Sequence, residues 1–446
     1  MAYVFRGGIY FKNEDMMAIG GIARPEYART LYIPLGKDQP LLIPAGSRIL
    51  RGQMIATPSD GVTALHSPVS GTVVGLENIS GVLTVKIEND GLGTLSPDIA
   101  KMNKKLADCT SEEIIEKIRA AGICGTGDDI RPTADKLSEA VGHTSACIIN
   151  CAECEPYISC DLAVLNERMS DVVNGLKIFL RALGIRRGVI AVPEGNADMI
   201  KKLGEMTKNG RMISVMTTSA KYPQGDERRL VYALTGRELR PSAEPITLGC
   251  VVFNVQTCVA VYDAFVVGMP LLSRVVTVGG DCVDHAVNVE VPIGTPYSEL
   301  VKYVGDMTAE PELILDGGPL RGRRTELDRT VGKTTRAILL LSGDETGKSE
   351  DVPVCVRCGR CVSACPEHLS PNYIYNYLRD GKTKAAVSAG ALACVGCGIC
   401  SYICPGKAPV AELIADFKRR RRDRLGGFDA ANKDKTDSEE GRDDNR

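Results

Sequence analysis

The chain has 446 residues, room for several domains with their own cores, and its 54 Lys and Arg against 56 Asp and Glu leave a net charge of −2. No basic excess marks a nucleic-acid surface, and with no tryptophan and 5% aromatics there is no stacking platform for single strands, so nucleic-acid binding is set aside. Seventeen cysteines behind an N-terminus without a charged-then-apolar leader predict a reducing, cytoplasmic setting in which thiolates hold metal.

Residues 31–88 are short β-branched segments separated by glycine and proline: 31–34, 46–56, 66–74 and 82–87. The text Gly46-Ser-Arg-Ile-Leu-Arg-Gly-Gln-Met-Ile-Ala56 followed by His66-Ser-Pro-Val-Ser-Gly-Thr-Val73 is similar to a lipoyl-type barrel–sandwich hybrid. No lysine stands at the hairpin tip for a carrier group, so the module is expected to be scaffold.

From Thr110 the pattern alternates. Ser111 is expected to cap an amphipathic helix ending at Gly122, followed by a strand at 146–149, a long helix at 161–183, a strand at 188–192, a helix at 196–208 and a strand at 212–216. That rhythm predicts a parallel sheet covered on both faces, with ligands taken by the loops 122–133, 150–161 and 217–227 at the strands' carboxyl ends. The apolar stretch 249–272 is broken by Asn254, Gln256 and Asp263 and is too polar to span a bilayer. Short strands return at 275–278 and 286–291, with a helix starting at Thr295-Pro296, a small α+β insert of β-grasp texture. The four histidines, His66, His143, His285 and His368, lie at no metal-ligand spacing from one another.

Chemistry concentrates in two runs. Cys355-Val-Arg-Cys358-Gly-Arg-Cys361-Val-Ser-Ala-Cys365-Pro366 and Cys394-Val-Gly-Cys397-Gly-Ile-Cys400-Ser-Tyr-Ile-Cys404-Pro405 both read C-x2-C-x2-C-x3-C-P. Two-residue gaps let three thiolates grip one iron–sulfur cube while the fourth reaches the other. One [4Fe–4S] cluster is therefore assigned to Cys355, Cys358, Cys361 and Cys404, the second to Cys394, Cys397, Cys400 and Cys365. A structural zinc, the alternative, has no use for a third cysteine at the next two-residue gap. Residues 418–424, rich in arginine, read as a solvated helix end before a charged, disordered tail.

Several stretches together resemble the C subunit of the Rnf complex, a family that includes the electron-transfer protein of D-proline reductase. They are Phe5-Arg-Gly-Gly-Ile9, Asn150-Cys-Ala-Glu-Cys-Glu-Pro-Tyr157, Tyr222-Pro-Gln-Gly225, Tyr232-Ala-Leu-Thr-Gly-Arg-Glu238, Pro270 to Val278, Val291-Pro-Ile-Gly-Thr-Pro296 and both cysteine runs. The resemblance implies an α/β multidomain chain. Its expected parts are a barrel–sandwich hybrid (1–105), a Rossmann-like domain similar to the NADH-binding subunit of complex I (106–268), an SLBB-like β-grasp domain (269–345), a two-cluster ferredoxin-type domain (346–417) and the tail (418–446). It further implies FMN and NAD(H) on the α/β domain, with Gly125, Gly127, Lys136, Glu153 and Glu155 as the residues that match the flavin-site motifs. Implied partners are other redox subunits or a partner reductase, and a membrane-embedded complex reached through protein contacts, with the chain peripheral on the inner face of the membrane.

This chain departs from the family pattern in one region. Asp128, Asp129 and Arg131 replace small and aromatic residues of the flavin loop, Asp226 and Arg228 follow Tyr222-Pro-Gln-Gly225, Gln256 follows Asn254-Val, and Leu320-Arg321 stand for methionines after Gly317-Gly-Pro319. Two functions are weighed: an oxidoreductase subunit passing electrons between NADH, flavin and the clusters, and a flavin-free iron–sulfur adaptor serving a partner reductase. Cys124, Cys151, Cys154 and Cys258, with Cys147 and Cys160 nearby, form either a third metal or dithiol site or a set of buried apolar side chains.

Overall fold

A computed structural model describes residues 2–11, 20–59, 61–127, 131–240, 243–343 and 354–421. The chain forms two compact units, Met1–Phe5 with Tyr10–Lys348, and Arg6–Ile9 with Ser349–Arg446.

In the first unit the glycine-punctuated segments near the N-terminus pair as Thr30–Pro34, Val82–Asn89, Gly71–Ile79 and Arg48–Ile49 in one sheet, with Met54–Ala56 against Leu65–His66 in another. Alternation buries Leu31, Ile33, Val73, Val85 and Ile87 between the layers. The hairpin tip is Ser80-Gly81, with no residue that could carry a lipoyl or biotin group, and Ser80 Oγ donates to Asp328 at 2.7 Å.

The α/β part is built on four strands, all parallel, in the order Ile213–Thr218, Gly188–Pro193, Ala146–Asn150, Cys250–Asn254. The near-continuous apolar runs of Gly188–Pro193, Ala146–Asn150 and Cys250–Asn254 are buried because helices cover them, whereas the edge strand Ile213–Thr218 is partly exposed. The helices are α1 (Ser111–Ala120), α2 (Thr133–Ala140), α3 (Cys160–Glu167), α4 (Met169–Leu183), α5 (Ala197–Thr207), α6 (Glu227–Thr235) and α7 (Val255–Tyr262).

Two sequence expectations are corrected here. The cap of α1 is Thr110 rather than Ser111: its hydroxyl accepts from the Glu113 N–H while Glu113 reaches back to the Thr110 N–H, a reciprocal capping box. The single helix expected at 161–183 is two, α3 and α4, meeting at Arg168, whose backbone (φ −120°, ψ 34°) leaves the helical region. Arg168 binds both oxygens of Asp263 at 2.7 and 2.8 Å and also Asp171, so side-chain pairing holds the break.

Helices α4 and α7 pack closely under the sheet. A Cβ on Gly175 would come within 2.4 Å of the Cys258 carbonyl, and Phe179 stacks on Phe253 with ring centroids 4.2 Å apart.

The third part of this unit is a mixed six-stranded sheet in the order Ile22–Ala23, Val287–Pro292, Ser273–Gly279, Ala337–Leu341, Leu313–Asp316, Arg323–Arg324. Tyr297, in the short helix that follows Thr295-Pro296, is buried in its core with Val276, Val289 and Leu340.

Lys333 ties this sheet to the other two parts. Its ammonium donates to Thr63 Oγ1 at 2.9 Å and to the Ala64 carbonyl, both of the barrel, and to the Gly122 carbonyl at 2.6 Å, at the end of α1.

The second unit consists of short helices around the cysteine runs: Arg360–Ala364, Pro371–Arg379, Thr383–Ser388 and Ile399–Tyr402. Residues 410–421 are helical, so the first positions of the expected charged tail belong to a helix whose end at 419–421 is exposed. Residues 422–446 lie outside the described set. Among the described residues no helix is long and apolar enough to cross a membrane.

Replacing Lys333 with methionine leaves three acceptors without their donor, at a cost of about 3 kcal/mol. The thermal unfolding midpoint should fall by several degrees; an unchanged midpoint contradicts the tie.

Candidate functional site

The loops at the carboxyl edge of the parallel sheet converge as expected for a ligand site in an open α/β sheet. The first is the glycine loop that follows Gly122. Its carbonyls are turned onto cations from the neighbouring sheet: Arg274 Nη2 donates to Cys124 O at 3.0 Å and to Gly125 O at 3.2 Å, while Arg274 Nε donates to Lys333 O at 2.6 Å. Gly127 has φ +64°, its N–H donates to Thr334 O at 2.9 Å, and a Cβ there would press to 3.3 Å from Arg336. Only glycine suits that position. Asp128 and Asp129 lie outside the described residues.

The second loop, Asn150 to Asp161, carries the two predicted glutamates, and both face inward. Glu153 is 5% exposed; its carboxylate accepts from the N–H groups of Asp161 and Leu162 at 3.2 and 3.1 Å, in the first turn of α3. Arg336 Nη2 sits 3.2 Å from Glu153 and 2.7 Å from Asp161. Asn254 and Gln256 complete the network, donating to Asp161 at 2.6 and 3.0 Å. Glu155 accepts from the Leu320 and Arg321 N–H groups at 2.9 and 3.0 Å, and a Cβ on Gly318 would fall 2.1 Å from its carboxyl carbon. Glu155 thereby pins the Gly317–Gly322 turn.

Lys136, on α2, is 6% exposed, lies 5.4 Å from the Phe253 ring centroid and pairs with Glu227 at 2.7 Å. Of the five residues matched to flavin-site motifs, Gly125, Gly127 and Lys136 thus lie on the glycine loop and the helix after it, while Glu153 and Glu155 hold the surrounding loops.

The departures from the family pattern are built into this frame. Asp226 caps α6, accepting from the Arg228 and Arg229 N–H groups at 3.1 and 3.4 Å, and its other oxygen pairs with Arg321 at 3.0 Å. Arg228 holds the carbonyls of Leu239, Arg240 and Ala243 at 2.8 to 3.1 Å. Gln256 bonds both polar atoms of Val275 as well as Asp161, and Arg131 pairs with Glu139 and Glu244. Two positions that read as unrelated in sequence, Asp226 and Arg321, are one ion pair.

The residues fit a flavin in three respects: a glycine loop with its carbonyls directed onto cations rather than toward a bound phosphate, a lysine on the helix after it, and unfilled polar capacity nearby. Gln224, fully buried in the third loop beside Gly225, has no partner for either side-chain polar atom among the described residues, and neither has the Thr126 hydroxyl. A buried carboxamide with donor and acceptor both unsatisfied calls for a polar ligand edge or water.

No three thiols of this region, among the described residues, lie within 4.8 Å of one another. Among the described residues the only three potential metal-ligating groups within 4.8 Å of one another are Glu153, Cys160 and Asp161, and both carboxylates are taken up by Arg336 and N–H donors. Burial pushes the Cys151, Cys154, Cys160 and Cys258 thiols up, so they behave as small apolar side chains.

In the second unit four thiols gather at one cavity. It is lined by Cys365, Cys394, Cys397 and Cys400 with Pro366, Val395, Ile399 and Ile414. Burial pushes the Cys400 thiol up, and neighbouring Cys394, Cys397, Cys365 and Cys361 add to it. Burial pushes the Cys361 thiol up, a backbone hydrogen bond from Asn372 opposes this, and neighbouring Cys355 and Cys358 add to the rise. The fourth cysteine of the first run therefore sits with the first three of the second. A four-thiol set at one cavity, with Cys361 beside Cys355 and Cys358, suits cubane clusters in its donor chemistry.

Sequence reasoning missed what Phe5-Arg-Gly-Gly-Ile9 does. Arg6–Ile9 belong to the second unit; Gly8 N–H donates to Ala364 O at 2.8 Å, and a Cβ on Gly7 (φ +74°) would fall 2.5 Å from the Cys365 carbonyl oxygen. The doubled glycine is there because this backbone lies against that of a cluster ligand. Arg274, Lys333 and Arg336 were missed as well; nothing in their spacing marks them.

Residues 3–92 match the RnfC barrel sandwich hybrid domain, residues 118–263 the Nuo51 FMN-binding domain and residues 348–405 a 4Fe-4S dicluster domain. The C subunit of the Na(+)-translocating ferredoxin:NAD(+) oxidoreductase complex of Acetobacterium woodii is 33% identical, over 84% of this chain and 87% of that one. The C subunit of the ion-translocating oxidoreductase complex of Rhodobacter capsulatus is 34% identical, over 87% and 78%. Among solved structures, an NAD+-reducing [NiFe]-hydrogenase in the H2-reduced state shares the fold with a TM-score of 0.50 and 18% identity, covering 73% of this chain and 64% of that one.

Burial, with Asp161 beside it, pushes the Glu153 carboxyl up to about 7. A carboxyl whose folded value lies above its unfolded value favours the fold fully in acid, below the unfolded value. That contribution is lost as pH rises through about 7. The thermal midpoint of Glu153→Gln should therefore fall less than that of the unaltered chain between about pH 5 and pH 8. Parallel pH profiles would contradict the assignment.

Proposed function

The chain belongs to the RnfC family, and on that premise we propose that it is an electron-transfer subunit relaying single electrons between a nicotinamide–flavin site on its α/β domain and partner redox subunits. The observation that carries the reading is the placement of Cys365 away from its own run, at one cavity with Cys394, Cys397 and Cys400. In this reading Cys355, Cys358, Cys361 and Cys404 hold one [4Fe–4S] cluster and Cys394, Cys397, Cys400 and Cys365 the other. Bound clusters supply one-electron chemistry, and a bound flavin supplies the conversion of a hydride pair into single electrons.

The chain's own residues do the holding. Gly125 and Gly127 would allow close approach of a ligand to the backbone, and Lys136, paired with Glu227 at 2.7 Å, holds the helix that follows the loop. Glu153, through Arg336 and the first turn of α3, fixes the second loop, and Glu155 fixes the Gly317–Gly322 turn over it. Glu153 and Glu155 are positioning residues. The ferredoxin:NAD(+) oxidoreductase activity in the Acetobacterium woodii relative's name is the activity proposed for the complex this subunit joins, with the chain placed peripherally on the inner membrane face through protein contacts.

A second reading, a flavin-free adaptor between a soluble donor and a partner reductase, is favoured by one observation. Asp226 places the chain's own carboxylate at the N-terminus of α6 and ties it to Arg321, in the region where the family keeps a small residue.

Anaerobically purified chain should hold about eight irons, and Cys365→Ser about four. With FMN added, NADH should bleach the cluster absorbance. Clusters reducible by dithionite but not by NADH with FMN present would overturn the first reading in favour of the adaptor.

A further inference from the structure

The three loops at the carboxyl edge of the parallel sheet do not share out their polar capacity evenly. On the second loop every buried polar side chain is engaged: Glu153 and Asp161 by Arg336 and N–H donors, and Ser159 by Asn288 at 2.9 Å. On the first and third loops Thr126, Thr218 and Gln224 are buried, and neither the two hydroxyls nor either polar atom of the carboxamide has a partner among the described residues. Gln224 holds the largest share, a carbonyl acceptor and an amide donor side by side with no exposure to solvent.

The backbone on both sides of Gln224 is pinned. Its N–H donates to Lys221 O at 2.7 Å and the Asp226 N–H to Pro223 O at 3.0 Å, which closes a turn around it. The next residue is clamped to the second loop: Gly225 O accepts from Asn150 Nδ2 at 2.8 Å, and a Cβ on Gly225 would stand 2.5 Å from Ala152 O. A carboxamide held in place and left unsatisfied is destabilising by itself and preorganised for a ligand that completes it.

We propose that Gln224 reads the pyrimidine edge of a flavin, its amide donating to a ring carbonyl oxygen and its carbonyl accepting from the ring N3–H. The inference rests on the nicotinamide–flavin reading above and gives this residue a role within it. A planar group with a donor beside an acceptor matches an imide edge, which presents an acceptor beside a donor. The carboxamide of a nicotinamide presents the same pair. Complete burial decides between them: a resident flavin can seal a group from water, whereas a nicotinamide that enters and leaves at each turnover approaches from the side open to solvent. Gln224 is then a specificity-determining residue, because it selects a ring with a free N3–H.

The test is the affinity of the cluster-loaded full chain for FMN and for 3-methyl-FMN, which lacks the N3–H, each read from quenching of flavin fluorescence. The unaltered chain should prefer FMN by about tenfold or more, and Gln224→Ala, which removes the partner and makes room for the methyl group, should shrink that preference to about threefold or less. A merely structural role would weaken both flavins alike and leave the ratio unchanged. Gln224→Met keeps the length of the side chain and is the second variant. Its flavin-free thermal midpoint should be no lower than that of the unaltered chain, since an apolar group replaces an unsatisfied carboxamide, while its FMN affinity falls about tenfold. An equal FMN preference in the unaltered chain and Gln224→Ala, or full FMN affinity in Gln224→Met, overturns the proposal and leaves the flavin reading standing. So does weakened NADH binding to the flavin-free variants with flavin affinity intact, which would give the carboxamide to the nicotinamide. An unaltered chain that binds neither flavin overturns the reading and the proposal with it.

Discussion

Three cations carried by the mixed sheet, Arg274, Lys333 and Arg336, organise the first unit. Lys333 takes carbonyls from the barrel and from the end of α1, Arg274 takes those of Cys124 and Gly125, and Arg336 neutralises the paired carboxylates of Glu153 and Asp161. Arg274 is buried and Lys333 and Arg336 are partly so, and each holds several acceptors, which makes the network costly to break in part: losing one cation strands acceptors or a buried carboxylate. The ligand loops are held from beneath by a neighbouring sheet, so the α/β part depends on that sheet for the shape of its site.

That dependence explains how the site tolerates departures from the family pattern. Asp226 with Arg321, Gln256 with Asp161 and Val275, and Arg228 with the 239–243 carbonyls each find hydrogen-bond or ion-pair partners inside the chain. A degraded site would leave unpaired charge, whereas these substitutions find partners within the chain, and Asp226 and Arg321 pair with each other. What changes is the charge at the N-terminus of α6, where Asp226 supplies an anion of the chain's own.

The legible parts of the sequence were those whose signal is local. Both cysteine runs place their ligands within a few residues of one another, so spacing alone pointed to iron–sulfur chemistry, and the parallel sheet followed from apolar runs at strand length separated by helical periods. The cations were not legible, because Lys333 and Arg336 act across more than two hundred residues on Gly122 and across 183 and 175 residues on Glu153 and Asp161. The break at Arg168 was hidden for the same reason, since Asp263 supplies its partner from α7's far end. Thr110 was misread by one position because Ser111 is an equally good cap by type; the glutamate three residues after Thr110 was the available signal. Gly7 and Gly8 looked like a bare motif until Cys365 was seen beside them.

The central claim is that the crossed cysteine sets hold two clusters close enough to exchange electrons. Electron paramagnetic resonance of the dithionite-reduced, iron-replete chain tests it most directly. The account predicts a broadened spectrum from two magnetically interacting [4Fe–4S]+ centres, which simplifies to that of a single isolated centre in Cys365→Ser. An unaltered chain giving one isolated centre, or two with no interaction, would contradict it.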